Sequence, residues 1–419
     1  MLSFNNKRTM LKQIFSTLGL SLIGTTSYFA QTSTASTNLS TQDLSGRVNT
    51  ITTAVPFLLI CPDSRNGAMG EVGAATPADA NSMHWNVGKL AFAEKKSGVA
   101  MSINPWLKQL VPDIYLYYLS FYSKLSKTQA IGASMRYFDL GNITFTDIVG
   151  NTTGQFRPNE FAFDLGYSQK LSETFSAGLS MRYIRSNLTG NYSVSGGQAY
   201  KPGTSVAADV GLYYQSKKLV IGDKKAKASG GLVVSNIGQK ISYSGNVKNF
   251  IPINLRLGGG LKFDIDDYNT FGVYADANKL LVPTHPLYAK GVNGSDTTVI
   301  VAGKDPNVSV TKGMIQSFGD APGGTKEELK EINYSAGFEY WYAKTFAVRA
   351  GYFNEAKTKG NRKFFTAGIG VRYNVFGLDA AYLIPLTQNH PLRNTLRFTL
   401  SFDFDAFKDQ NKDTPKPVE

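Results

Sequence analysis

The chain has 419 residues, a formal net charge of +13, 42% hydrophobic residues, and 12% aromatic against 18% charged residues. Many aromatics with few charges exclude a disordered chain. Mean hydropathy is −0.18, and after the first thirty residues no apolar run reaches the ~18 residues of a membrane-crossing helix; strands that cross a membrane alternate apolar and polar residues and are not excluded.

Residues 1–30 read as a secretory signal. Lys7, Arg8 and Lys12 form a basic start, an apolar run follows from Leu18 to Ile23, and Ser27 and Ala30 precede Gln31. The one cysteine, Cys61, permits no intrachain disulfide. It follows Leu59-Ile60 well beyond the signal, which argues against a lipid-anchor cysteine. The positive charge left after signal removal either attracts an anionic partner or lipid headgroups, or is spread over rims and loops with no dedicated partner.

Residues 31–62 begin Ser/Thr-rich and turn apolar at Val55 to Ile60, the pattern of a flexible leader entering ordered structure. The stretch from Asp63 to Phe92 is rich in Gly and Ala and lacks strand alternation. Placed before a set of strands, it suits a plug or latch on the periplasmic side, in or under the lumen. Gly67, Met69, Gly70, Gly73, Trp85 and Asn86 are its expected plug residues, the glycines letting backbone approach backbone. Leader and plug together span 31–95.

After residue 95 the period becomes two. From Leu396, one face carries Leu396, Phe398, Leu400 and Phe402, and the other Arg397, Thr399, Ser401 and Asp403. The run of ten or more residues exceeds the ~5–6 of soluble strands and reaches the ~9–11 of a membrane strand. The pattern recurs near 97–104, 113–123, 128–138, 158–169, 173–187, 204–216, 227–241, 251–264, 268–279, 332–342, 345–355, 362–374, 376–386 and 393–406. These strands predict an all-β fold: a transmembrane outer-membrane barrel of about fourteen antiparallel strands over 96–407, with a short N-terminal plug or latch. Short turns at 124–127, 170–172, 265–267, 343–344 and 375 alternate with mostly longer connections, as periplasmic turns do with outer loops. Segment 217–226 reads as a basic periplasmic hairpin of extended strand ends. Residues 280–331 form the one large insertion, with a short helix at Lys326 to Glu331. Its apolar residues Leu287, Tyr288, Val299, Ile300, Met314, Ile315 and Phe318 are candidate partner-binding positions, and its deletion is expected to leave a folded barrel. Residues 408–419 form a polar periplasmic tail.

Catalytic, metal and cofactor signals are weak. His84, His285 and His390 share no ligand spacing, and no G-x-S-x-G elbow occurs. Asp264, Asp266 and Asp267 lack the calcium-loop pattern and read as a solvated turn. Gly258-Gly259-Gly260 lies within a strand and suits close packing at a bend of the wall. Lumen-facing Arg136, Arg182, Arg256, Arg349 and Arg372 are expected to pair with Asp164, Asp209, Asp276 and Glu339. No enzyme and no nucleic-acid partner is expected.

The stretch PFLLICPDSRNGAMGEVGAATPADANSMHWN, residues 56–86, resembles the N-terminal segment of the PorV family, outer-membrane barrels of the type IX secretion system of Bacteroidetes. More distantly the chain is similar to the FadL fatty-acid transporters. Where FadL-type proteins commonly carry Asn-Pro-Ala, this chain has Asn86-Val87-Gly88. The PorV resemblance implies a shuttle that receives the C-terminal signal domain of secreted cargo at the translocon barrel SprA (also called Sov). It then delivers that cargo to a surface attachment complex containing the sortase-like PorU. The alternatives are a FadL-like channel for hydrophobic small molecules and an outer-membrane lipid deacylase.

Overall fold

The computed structural model describes residues 47–147, 149–188, 190, 201–244, 247–290, 298–387 and 390–404. The expected signal peptide and polar tail lie outside the described residues. The barrel wall consists of β1 (Ser97–Pro105), β2 (Tyr115–Lys124), β3 (Gln129–Asp139), β4 (Asn159–Lys170), β5 (Phe175–Asn187), β6 (Gly203–Gln215) and β7 (Lys224–Gly238). It continues through β8 (Asn254–Asp264), β9 (Asn269–Leu280), β10 (Asn333–Tyr342), β11 (Phe346–Asn354), β12 (Lys363–Tyr373), β13 (Phe376–Pro385) and β14 (Leu396–Asp403). Neighbours in sequence pair antiparallel, and β1 pairs with β14, Met101 opposite Leu400. These fourteen strands therefore close on themselves and leave no open edge. A short strand, Leu219–Ile221, folds back on the start of β7 and completes the expected basic hairpin.

Alternation dictates what each face meets. On β14, Leu396 and Phe398 point outward while Arg397 and Thr399 are buried inside. The same inside-outside rhythm runs along β2 and β5. The outward side chains, such as Leu165, Met181, Leu257 and Ile369, form an apolar surface that only lipid satisfies. Exposed Tyr117, Tyr183, Tyr334 and Tyr382 mark one rim, and Tyr214, Tyr268, Tyr342 and Tyr373 the other. These are the aromatic girdles of a membrane barrel.

The chain enters β1 and leaves β14 at the end carrying the short turns, the periplasmic end. One of these turns, Ala343-Lys344, has φ of 49° and 56° at its two residues, as a two-residue hairpin with right-twisted strands requires. The long connections lie at the opposite, outer end. The insertion between β9 and β10 contains a hairpin, Leu287–Lys290 with Thr298–Ala302, and two short helices, Val310–Gln316 and Thr325–Lys330.

Two expectations about the N-terminal segment are corrected. Residues 47–60 are pinned in place at the outer mouth. The Asn49 amide donates to the Thr358 carbonyl and the Ala54 amide to the Phe250 carbonyl, at 2.9 Å each. Thr52 Oγ1 and His285 Nε2 lie 2.7 Å apart. The plug is not confined to the periplasmic side either. From the outer mouth at residues 47–60 the chain descends through the lumen as residues 61–93 and reaches the periplasmic rim at Ser97. The physical reason is the run from Val55 to Ile60, whose Val55, Phe57 and Leu58 are buried in a core with Ile114, Phe138, Phe250 and Ile251 at the outer end.

Candidate functional site

The lumen segment is held by charges in a stretch otherwise made of small residues. Asp63 caps the helix Ser64–Gly67 (α1), accepting from the Asn66 amide at 2.9 Å. Its other oxygen accepts from Trp85 Nε1 at 2.6 Å. Trp85 ends a second short helix, Ser82–Trp85 (α2). Arg65 reaches the wall and forms a two-pronged ion pair with Glu339 on β10, while Asp79 of the plug takes its third nitrogen. Glu71 pairs with Arg397 on β14. On β9, one Asp276 oxygen accepts from the amides of Gly73 and Ala74. Lys89 is fully buried and donates to the Gly73 carbonyl and Thr76 Oγ1. A buried charge needs an ion partner or hydrogen bonds: Arg65, Glu71 and Asp276 have ion partners, while Asp63 and Lys89 are held by hydrogen bonds to neutral groups.

The sequence-derived plug residues occupy specific places in this packing. Met69 is fully buried with Val72 and Tyr274. Asn86 donates to the carbonyls of Ala74 and Leu212 and accepts from the Gly88 amide, tying the plug to β6. Gly70 has φ +70°, and a Cβ there would sit 2.5 Å from the Tyr352 carbonyl oxygen. Gly73 lies against the Trp85 ring, and Gly67 against the Arg397 side chain. Within the Gly258–Gly260 triplet, Gly258 faces Ala74 of the plug.

The wall arginines are neutralised. Arg136 lies 3.7 Å from Asp164 and donates to the Leu58 carbonyl. Arg182 bridges Asp164 and Asp209. Arg256 pairs with Asp276, Arg349 with Glu339 and Asp379, and Arg372 with Asp379. The pairings of Arg65 and Glu71 were not anticipated. The usable signal was the presence of Asp63, Arg65, Glu71, Asp79 and Lys89 in a segment too compact to leave them in water.

At the outer mouth the insertion is clamped by a second ionic cluster. Lys279 pairs with Glu328 and Glu331, and Lys359 with Glu327 and Glu331. Thr284 Oγ1 donates to Glu331. Burial pushes Glu331 upward, but Lys279 and the donors around it outweigh this and hold the carboxyl below its ordinary value. Asp320 is pushed up to about 6 by burial, against the Thr284 amide and with Glu328 and Glu331 adding repulsion. Deleting all of 280–331 would strip Lys279 and Lys359 of these carboxylates, so the expected clean deletion does not suit this architecture. Of the candidate partner-binding residues, Tyr288, Val299, Ile315 and Phe318 are exposed. Leu287 and Ile300 are half-buried, and Met314 packs against the outer core.

Beside the leader lies a cavity of about 440 Å³ lined by Ile51, Phe57, Ile60, Trp106 and Phe138. His285 contacts the leader, and His390 Nδ1 accepts from the Leu392 amide. His84 lies edge-on to Trp85. The three histidines are not brought together. Asp266 accepts from the amides of Tyr268 and Asn269, closing its turn. Among the described residues no cluster of metal-ligating side chains occurs.

A closed fourteen-stranded barrel with a lipid-facing apolar surface and a lumen filled by its own N-terminal segment is an integral outer-membrane protein. Residues 42–287, more than half of the chain, match the family model of the type IX secretion system protein PorV. The chain belongs to this family. No curated sequence matches it. Among solved structures it is similar to the Ralstonia pickettii toluene transporter TbuX, at 12% identity and TM-score 0.42, over 82% of this chain and 97% of that one. The monoaromatic hydrocarbon channel CymD gives 16% identity and TM-score 0.45, over 82% and 97%. A Pseudomonas aeruginosa FadL homologue gives 10% identity and TM-score 0.41, over 85% and 99%.

Proposed function

We propose that the barrel is a non-enzymatic shuttle of type IX secretion whose outer face docks protein partners. In this reading it takes the C-terminal signal domain of cargo at a SprA/Sov-type translocon and passes it to a PorU-type attachment complex. One observation carries the reading: exposed Tyr288, Val299, Ile315 and Phe318 stand on an insertion locked to the wall by a buried ionic cluster. A rigid platform presenting apolar side chains to water is suited to protein recognition. The filled lumen supports docking rather than passage.

The test is Val299→Asp with Ile315→Asp, two exposed positions, chosen over Phe318 because the Phe318 ring lies 6.0 Å from the Lys279 ammonium of the clamp. Co-purification of cargo signal domains or translocon from native membranes should fall, with the barrel still folded. Undiminished capture and normal secretion by that variant would remove the outer insertion from the mechanism. The apolar cavity of about 440 Å³ beside the leader favours the second reading, a binding site for hydrophobic small molecules. Saturable fatty-acid binding by the purified protein, lost on Phe57→Ala, would support that reading instead.

A further inference from the structure

The periplasmic mouth holds a cavity of about 460 Å³ whose lining includes Lys95, Lys124, Lys170, Lys227 and Lys262. Its floor is the plug, at residues 77–81 and 92–95. Lys227 on β7 and Lys262 on β8 are cross-strand partners, so their side chains stand side by side on the lumen face. Like charges in that position destabilise a sheet. Lys124 donates to the Ala93 carbonyl, and the Lys170 ammonium lies 4.3 Å from the centre of the Phe92 ring. Among the described residues, none of these five lysines has a carboxylate within ion-pair distance. Of the carboxylates in the same lining, Asp79 and Glu339 are committed to Arg65, and Asp379 to Arg349 and Arg372. Glu94 and Asp403 also line the cavity, so its lysines and arginines still outnumber its carboxylates. The lumen-facing wall arginines each have a carboxylate partner, and these five lysines do not.

We propose that this cavity is a docking site for an acidic peptide segment of a periplasmic protein, an extended stretch with several carboxylates. Four of the lysines lie on β2, β4, β7 and β8, and Lys95 lies two residues before the first strand. They ring the mouth instead of converging on one point, as a single phosphate would require. They face the lumen and not the bilayer, which disfavours a lipid headgroup. The low-dielectric wall concentrates their field on whatever enters. The chain's own residues 408–419 carry three lysines against two aspartates and one glutamate, a poor charge match for the cavity.

The probe is fluorescein-labelled octaglutamate, titrated by anisotropy against the full-length barrel in nanodiscs of zwitterionic lipid. Saturable binding that weakens steeply with salt is expected. Lys227→Gln with Lys262→Gln should weaken it about tenfold or more, since two adjacent charges are lost from one site. Lys127→Gln with Lys218→Gln removes two exposed lysines outside the cavity and should change it less than about threefold. Carbodiimide coupling of the peptide to unmodified protein, mapped by mass spectrometry, should mark Lys124, Lys170, Lys227 or Lys262. This arm does not depend on how the variants fold. The proposal is overturned by absent saturation, by equal losses in the two double variants, or by coupling confined to lysines outside the cavity, such as Lys127 and Lys218 on the periplasmic turns. Displacement by inorganic phosphate at the peptide's own concentration would reassign the cavity to a phosphate ligand.

Discussion

Arg65 of the plug and Glu339 of the wall meet through two parallel hydrogen bonds of 2.9 Å, although 274 residues separate them in sequence. The pair fastens the lumen segment to β10, and Arg349 and Asp79 complete its charge balance. Breaking a buried pair of this kind costs about 3–5 kcal/mol. Glu339 keeps Arg349 when Arg65 is lost, which places Arg65→Ala toward the lower end. That variant should melt at lower temperature and admit ions where the wild type is silent in planar bilayers. A silent Arg65→Ala barrel with an unchanged melting point would show that the pair does not hold the plug.

Gly70 and Gly222 separate backbone strain from crowding. Both have positive φ, +70° and +61°, but a Cβ at Gly222 meets nothing within 4 Å. Gly222→Ala should therefore cost only the local ~1–2 kcal/mol of a left-handed residue. Gly70→Ala adds a collision with the β11 backbone and should cost clearly more, seen as a smaller fraction of heat-resistant folded barrel in electrophoresis. Equal losses for both variants would mean that plug and wall yield easily at Gly70.

The wall was readable because it obeys a local rule. A period of two shows along most strands, interrupted in β7 by the register shift between Val234 and Ile237, and the spacing of turns and loops gives the sidedness. The path of the N-terminal segment was not readable, because its anchors are distant in sequence. Asn49 bonds to Thr358, and Ala54 to Phe250, and no periodicity in residues 47–60 announces either contact. Arg136, Arg182 and Arg256, and Arg349 through Glu339, could be matched with carboxylates because those partners lie on adjacent strands. Asp379, which takes Arg372 and, two strands away, Arg349, was not among the expected carboxylates. Arg65, Glu71 and Lys89 could not be matched, since their partners are fixed only once the plug is inside the barrel.

The upward path of the leader makes a topological prediction. Val48 is 78% exposed at the outer mouth, while the single native cysteine, Cys61, is buried in the lumen. Thiol reactivity follows exposure. Val48→Cys on intact cells should react with a membrane-impermeant maleimide, and the parent protein should not. Labelling of Val48→Cys only after the outer membrane is permeabilised would put the leader on the periplasmic side and overturn the threading described above.

Asp320 gives the outer insertion a pH dependence of definite sign. Its carboxyl titrates at about 6 in the folded protein, against an ordinary value of 3.8. A carboxyl raised on folding binds its proton more tightly in the folded state. Its contribution is therefore complete below pH 3.8 and is lost as pH rises through 6. Glu331 is held low and acts in the opposite sense: its contribution is present above its ordinary 4.5 and lost as pH falls below it. Between pH 5 and 7 the Asp320 effect is the changing one, because Glu331 is already ionised. Newly charged Asp320 then faces Glu328 and Glu331 across the Thr284 backbone amide, which donates to Asp320 at 3.1 Å. Hydrogen exchange in residues 282–287, corrected for its intrinsic pH dependence, should therefore lose protection over this range. Asp320→Asn keeps an acceptor for Thr284 and removes the charge, so its protection should stay level. The same decline in Asp320→Asn would trace the pH response to another group.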